Sequence, residues 1–321
     1  MKIYFCREGL RIIRELLQGE LPHDEVLECA PERLAEVVGT ANVLIPTITP
    51  LRAEVLAQSR ARLIQQFGAG LDAVDIAAAT RQGIPVANVP AAGTGNAESV
   101  AEMAVFLMLA LARRFPETQQ SIREGRIATP TGWALKGRTA VIVGYGGIGR
   151  ETARRLAGFE MRVLAVSRSG PKNTPEEDAI PVARHYAEAG LHEALREADF
   201  VILAPPLNDQ TRGLLGAAEF ACLKPSAYVV NVARGGVIDY DALLAALREQ
   251  RIAGAGLDVF WQEPIDPQDP LLGYNVIGTP HVGGATDLSL RGIARKVAAN
   301  VERVRRGELP ENCVNAQMLK T

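Results

Sequence analysis

The chain has 321 residues, a length for about two domains at roughly 150 residues each. Apolar residues make up 47% and charged residues 22%, which excludes a disordered, collagen-like or coiled-coil protein. Lys and Arg total 35 against 37 Asp and Glu, a net charge of −2, so no overall basic excess points to nucleic acid or an anionic membrane. The four cysteines, Cys6, Cys29, Cys222 and Cys313, are scattered without a CxxC pair. Reduced thiols in a cytoplasmic protein, and no metal site, are expected. The first residues lack the long apolar region of a signal peptide, and the longest apolar run, residues 103–112, is about half a membrane span.

In chain order, short β-type runs alternate with helical stretches, the pattern of parallel sheets with crossover helices. Strands are predicted at 2–5, 42–45, 63–67 and 85–88, with helices at 8–18, 51–58 and 75–82 between them. Residues 98–114, ESVAEMAVFLMLALARR, form a helix that is apolar on nearly every face and must be covered on all sides; burial between the domains would do this, but a subunit interface in a homodimer is the preferred reading. A second series places strands at 139–143, 162–167, 200–204, 228–232, 255–259 and 276–277. Its helices are expected at 148–158, 191–197, 217–222 and 240–249. The last helix, 287–306, should pack back on the first unit. The fold class is therefore α/β, with two Rossmann- or flavodoxin-like, doubly wound parallel-sheet domains separated by a cleft. Crossings near residues 97 and 286 divide the chain into 1–96 plus 287–321 and 97–286, a geometry suited to hinged closure.

VGYGGIGR at 143–150 sets Gly144, Gly146 and Gly149 in the spacing G-x-G-x-x-G, after the apolar strand TAVIV and at the opening of a helix. That context gives the glycines their meaning. Gly144 permits the tight turn, Gly146 clears room for a pyrophosphate, and Gly149 lets the helix lie close to its strand. The phosphates would meet the N–H groups of Gly147 and Ile148 at the positive end of the helix. The next strand ends at Ser167, 18 residues beyond Gly149, where an NAD site usually carries an acid for the ribose 2′-hydroxyl. Here Ser167, Arg168 and Ser169 stand instead, with Lys172 soon after. Arg168 can bond a 2′-phosphate, so NADP(H) is expected over NAD(H). The alternative for Arg168 is stacking on the adenine.

Of the four histidines, His23 lies in a polar loop, and His185 and His192 flank a surface stretch, which suggests structural or solvated roles. His281 ends the apolar run NVIGTPH before Gly283 and Gly284, at the carboxyl end of a predicted strand, where open α/β sheets place ligands. It can exchange a proton near neutral pH. Arg234 in YVVNVARGGVID, and Asp258 and Glu263 in GLDVFWQEP, follow two neighbouring strands in the same way.

These segments, with QFGAGLDAVD (66–75), NAESVAEMAV (96–105), PPLNDQTRGLLG (205–216) and TPHVGGAT (279–286), resemble the D-isomer-specific 2-hydroxyacid dehydrogenases. That family includes glyoxylate/hydroxypyruvate reductases and D-3-phosphoglycerate dehydrogenases. The resemblance covers nearly the whole chain and implies Arg234, Glu263 and His281 as the catalytic set. Arg234 would hold the substrate carboxylate or carbonyl, His281 would give or take the proton, and Glu263 would favour the protonated imidazole. It further implies that 1–96 plus 287–321 bind substrate and 97–286 bind the dinucleotide. The amides of Ala69 and Gly70 would take the substrate carboxylate, and Asn96 would lie near substrate and nicotinamide. Asp258 would meet the carboxamide, and Pro206, Thr211 and Ala233 would join the cofactor-binding residues.

The expected activity is NADPH-dependent reduction of glyoxylate, hydroxypyruvate or a similar 2-oxo acid to a D-2-hydroxy acid. Dehydrogenation of phosphoglycerate or a bulkier acid, and a corepressor-like dinucleotide-sensing protein, are the alternatives. Formate dehydrogenase relatives usually carry Gln where Glu263 stands.

Overall fold

The computed structural model describes residues 1–171 and 179–319, and the chain divides into two compact units, Met1–Asn96 with Thr286–Thr321 and Ala97–Ala285. The first unit holds β1 (Lys2–Phe5), α1 (Arg11–Glu20), β2 (Glu25–Glu28), α2 (Leu34–Val37), β3 (Val43–Ile45), α3 (Ala53–Leu56), β4 (Leu63–Gln65), α4 (Ile76–Arg81) and β5 (Val86–Ala87). Its strands are all parallel in the order β2-β1-β3-β4-β5. Residues alternating along these strands supply two cores. Ile3, Phe5, Val43, Ile45 and Leu63 pack with Leu17 of α1 on one face, whereas Leu44, Ile64 and Val86 pack with Leu34, Leu56 and Ala78 on the other. A strand covered on both sides must be apolar at successive positions, which is why these runs are legible in the sequence.

The second unit begins within α5 (Asn96–Ala112) and continues through α6 (Phe115–Arg123), β6 (Thr139–Val143), α7 (Gly147–Gly158), β7 (Arg162–Ser167), β8 (Arg184–Ala187), α8 (Leu191–Glu197), β9 (Phe200–Leu203), α9 (Ala217–Cys222), β10 (Tyr228–Asn231), α10 (Tyr240–Arg248), β11 (Gly254–Leu257) and β12 (Val276–Gly278). Its seven parallel strands run β12-β11-β10-β9-β6-β7-β8. The order reverses at β6, which pairs with β7 on one side and β9 on the other, and the crevice at such a switch point is where open α/β sheets bind ligands. The closing helix α11 (Asp287–Arg305) returns to the first unit, where Ile293, Val297 and Val301 join the β1 face, and Thr286 caps its start by accepting from the Ser289 amide at 3.2 Å.

Four of the elements depart from the sequence expectation as follows. β2 and β8 form the polar edges of their sheets, EVLE and RHYA, and an edge strand needs no apolar run. Helix α6 was hidden by its polar sequence, and it is separated from α5 by Arg114 in the left-handed region at φ 51°. Helix α1 starts at Arg11 and not at residue 8, because Gly9 turns the chain at φ 83°. The apolar α5 is covered in large part by its own unit, with Leu107, Met108 and Leu111 in the core beside Ile142 and Val230. Among the described residues no helix is long and apolar enough to cross a membrane.

Candidate active site

The glycine turn joins β6 to α7 at the switch point. Gly144 takes φ 95°, and a Cβ there would overlap the backbone of Ala204 and Pro205, so this turn and the one leaving β9 touch main chain to main chain. A Cβ at Gly149 would overlap the carbonyl oxygen of Gly144, which is why the helix can begin directly under its strand. Beside Gly146, by contrast, the space is open. No side chain caps the first turn of α7, so its leading N–H groups, Gly147 and Ile148 among them, face outward for an anion. An open cradle, uncapped amides and a positive helix end fit the diphosphate of a dinucleotide. On the adjoining turn the Thr211 hydroxyl donates to the Pro206 carbonyl at 2.6 Å and fixes that loop.

At the far end of β7, Ser167 is half-buried, while Arg168 and Ser169 are exposed. The Ser167 hydroxyl donates to the Gly170 carbonyl at 3.1 Å and lies 2.8 Å from His185 Nε2. No carboxylate occupies residues 167–169. Lys172 lies outside the described residues.

The loops after β10, β11 and β12 bring Arg234, Glu263 and His281 together. Glu263 Oε2 lies 2.7 Å from Nδ1 of His281, and its Oε1 accepts the Phe260 amide at 3.0 Å. Burial pushes the Glu263 carboxyl up, but the His281 hydrogen bond and charge, the Phe260 amide and the Arg234 charge outweigh it, and its pKa is lowered. Glu263 is therefore an anion at neutral pH, a fixed acceptor for the imidazole. Arg234 follows β10 in extended conformation, with Nη1 donating to the Ala233 carbonyl at 2.8 Å. A Cβ on Gly235 would overlap the backbone of Phe260 and Trp261, so the loops carrying Arg234 and Glu263 are in direct main-chain contact.

His281 itself sits in the left-handed region at φ 55°, a conformation that must be held from outside. Asp258 holds it. Its carboxylate accepts from Thr279 Oγ1 at 2.6 Å and from the amides of Val282 at 3.0 Å and Gly283 at 2.9 Å. Its carbonyl accepts the His281 amide at 2.8 Å. Asp258 is only 2% exposed, so the observed role of its side chain is to fix the turn that presents the imidazole.

In the first unit, Ala69 and Gly70 follow β4 in a turn braced by Gln66, whose Nε2 donates to the Gly70 carbonyl at 2.6 Å, and by Asn88, which donates to the Ala69 carbonyl at 2.7 Å. Among the described residues neither the Ala69 nor the Gly70 amide has a protein acceptor. Asn96 opens α5, its amide 3.3 Å from Thr94 Oγ1.

A sequence model of the family described as D-isomer specific 2-hydroxyacid dehydrogenase, NAD binding domain, matches residues 105–283. The glyoxylate reductase of Thermococcus litoralis is 35% identical, covering 99% of this chain and 98% of its own. That of Korarchaeum cryptofilum is 37% identical over 99% and 97%. The chain belongs to the D-isomer specific 2-hydroxyacid dehydrogenases. The solved structure of a glyoxylate reductase from Paecilomyes thermophila shares 28% of residues, superposes with a TM-score of 0.81 and covers 99% of both chains. As a D-2-hydroxyacid dehydrogenase, the protein is an oxidoreductase that exchanges hydride between a nicotinamide dinucleotide and a small 2-oxo acid.

Three residues near these groups escaped sequence reasoning. His185 was read as structural or solvated, and the main-chain contact at Gly235 has no local signature. Trp261 now has a place: its Nε1 donates to the Ile238 carbonyl at 2.7 Å and its ring meets the Tyr240 ring edge-on at 5.1 Å, which anchors the loop leading to Glu263. An aromatic two residues before a reacting carboxylate was the one available signal.

Proposed function

We propose that this dehydrogenase is an NADPH-preferring reductase of glyoxylate and hydroxypyruvate that works as a homodimer. The observation that carries the coenzyme preference is the exposed guanidinium of Arg168 between two serines at the end of β7, where a carboxylate would select the 2′-hydroxyl. The relatives named glyoxylate reductase support the substrate class.

Gly144, Gly146 and Gly149 would seat the dinucleotide, with the amides of Gly147 and Ile148 on its diphosphate and Arg168 on the 2′-phosphate. Ser167, Ser169, Pro206, Thr211 and Ala233 would complete its surroundings. When bound, the coenzyme supplies the hydride. Arg234 grips the carboxylate or carbonyl oxygen of the 2-oxo acid through its planar fork and sets the orientation of C2. The amides of Ala69 and Gly70, with Asn96, would bind the substrate carboxylate. With Nδ1 of His281 bound to Glu263, the other ring nitrogen serves the substrate oxygen. It gives a proton as the 2-oxo acid is reduced and takes one back in the oxidation. Glu263 holds the ring in the tautomer this requires and balances the imidazolium charge.

Initial rates with glyoxylate, hydroxypyruvate, pyruvate and bulkier 2-oxo acids, with NADPH and with NADH, test the proposal. The two smallest hydrophilic acids with NADPH should give the highest kcat/KM. Arg168→Ala should weaken NADPH binding by about tenfold or more, roughly 1.4 kcal/mol, and leave NADH unchanged. An equal loss with both coenzymes would refute the phosphate contact.

The dimer reading rests on a run of exposed apolar side chains, Phe106, Phe115, Ile122 at 68% and Ile127 at 87%, in the segment through α5 and α6. Beside it lies a hollow of about 680 Å³ lined by Arg113, Phe115, Thr118, Pro130 and Trp133 and by none of the reacting side chains. Light scattering should return twice the chain mass of 34.4 kDa, and a monomer at micromolar concentration would contradict this.

A further inference from the structure

His185 lies on the edge strand β8, in register with Ala165 of β7, and Ser167 is paired with Ala187 two positions on. Side chains two apart on a strand share a face, so Ser167 and His185 lie on the same side of the sheet. Their hydrogen bond at 2.8 Å can run in either direction, and the protonation of the ring decides which. A serine hydroxyl has one proton, and the Gly170 carbonyl at 3.1 Å is its other acceptor. With that proton on Gly170, His185 Nε2 carries the hydrogen and donates it to the serine oxygen. The ring also meets Tyr145, the second residue of the glycine turn, edge-on with 5.0 Å between centroids. It thus touches both the end of the second strand, where coenzymes are told apart, and the phosphate turn.

We propose that His185 acts through Ser167 to set coenzyme preference, and that its imidazolium form turns the Ser167 hydroxyl into a donor for a 2′-phosphate. This inference rests on the coenzyme reading given above. The doubly protonated ring can only donate at Nε2, so the serine proton is directed away from it, to Gly170 or to a ligand oxygen. The neutral ring has a second tautomer, protonated at Nδ1, in which Nε2 accepts the serine proton and leaves the hydroxyl an acceptor only. An acceptor suits the 2′-hydroxyl of NADH and opposes a phosphate. Histidine changes charge in the range about pH 5–8, so the selection varies across neutrality.

On the described elements that pack on this face, basic residues outnumber acidic ones. Helix α7, packed on the same face of the sheet, carries Arg150, Glu151, Arg154 and Arg155, and Glu151 is paired with Arg154 and, at 2.7 Å, with Arg155. β7 adds Arg168. The neighbours of His185 on β8 itself turn to the opposite face: Arg184 is paired with Glu193 at 2.7 Å and stacked over Tyr186, whose hydroxyl lies 3.4 Å from Glu193 and from Glu197.

The test is the ratio of kcat/KM for NADPH to that for NADH, followed from about pH 8.5 down to about pH 6.5, above the second ionisation of a phosphate monoester at about 6. Proton transfer by His281 is common to both coenzymes and cancels in the ratio. In the wild type the ratio should climb by about fivefold as pH falls, and in His185→Gln it should stay flat. An equal climb in His185→Gln overturns the proposal. Should that variant fail to fold, Ser167→Ala keeps the imidazole and removes the hydroxyl through which it acts; a full climb in Ser167→Ala overturns the proposal equally. Failure of the coenzyme reading looks different. It shows as a low ratio at every pH that Arg168→Ala does not change, whereas the slope of the ratio reports His185 alone.

Discussion

Replacing Gly235 with alanine is expected to lower kcat/KM for the 2-oxo acid by about a hundredfold, the cost of displacing reacting groups by about 1 Å. A Cβ at this position would overlap the carbonyl group of Phe260 and the amide of Trp261. Both are main-chain atoms, and no side-chain rotation can make room. One of the two loops must move, and each carries a member of the reacting set: Arg234 directly before the glycine, Glu263 a few residues beyond the contact. Trp261 resists the movement on its side through the hydrogen bond to Ile238. Overpacking of this kind costs about 1–3 kcal/mol, too little to unfold a stable domain, so the loss should appear in kinetics before it appears in a melting curve. Coenzyme affinity, set at the glycine turn after β6, should hold. Wild-type kcat/KM in a folded Gly235→Ala protein would mean that the spacing of these two loops is immaterial to the chemistry.

Much of this architecture was legible in the chain because its causes are local. TAVIV followed by GYGGIG announces a strand and a phosphate turn together, since only glycine tolerates the overlaps seen at Gly144 and Gly149. Arg234, Glu263 and His281 stood out because charge emerging from a buried strand needs a reason. What the sequence hid depends on partners distant along the chain. β2 and β8 are edges, paired on one side only, and their charged residues carry no apolar signature. His185 gains meaning only when β8 is laid beside β7 and its ring reaches Ser167. Asp258 was read as a carboxamide partner, and the three hydrogen bonds that also tie its carboxylate to the turn after β12 had no signature in the chain. Gly235 resembled any Gly-Gly turn until the Phe260 backbone was found against it.

The electrostatics of the reacting pair follow from the same packing. The imidazole of His281 and the guanidinium of Arg234 both act on Glu263, and together with the Phe260 amide they keep it ionised despite its burial. Removing the imidazole removes the largest of the interactions that keep that carboxylate ionised.

The account turns on His281 as the group that moves a proton to and from the substrate oxygen. Its most direct test is the reduction of hydroxypyruvate by NADPH in wild-type and His281→Ala protein, with coenzyme affinity measured on both by fluorescence titration. The wild type should yield D-glycerate. The variant should bind NADPH with unchanged affinity and turn over about a hundred to ten thousand times more slowly, the usual contribution of a positioned acid or base. Turnover near the wild-type rate, with the coenzyme bound equally well, would contradict the assignment and with it the reacting site described at the ends of β10, β11 and β12.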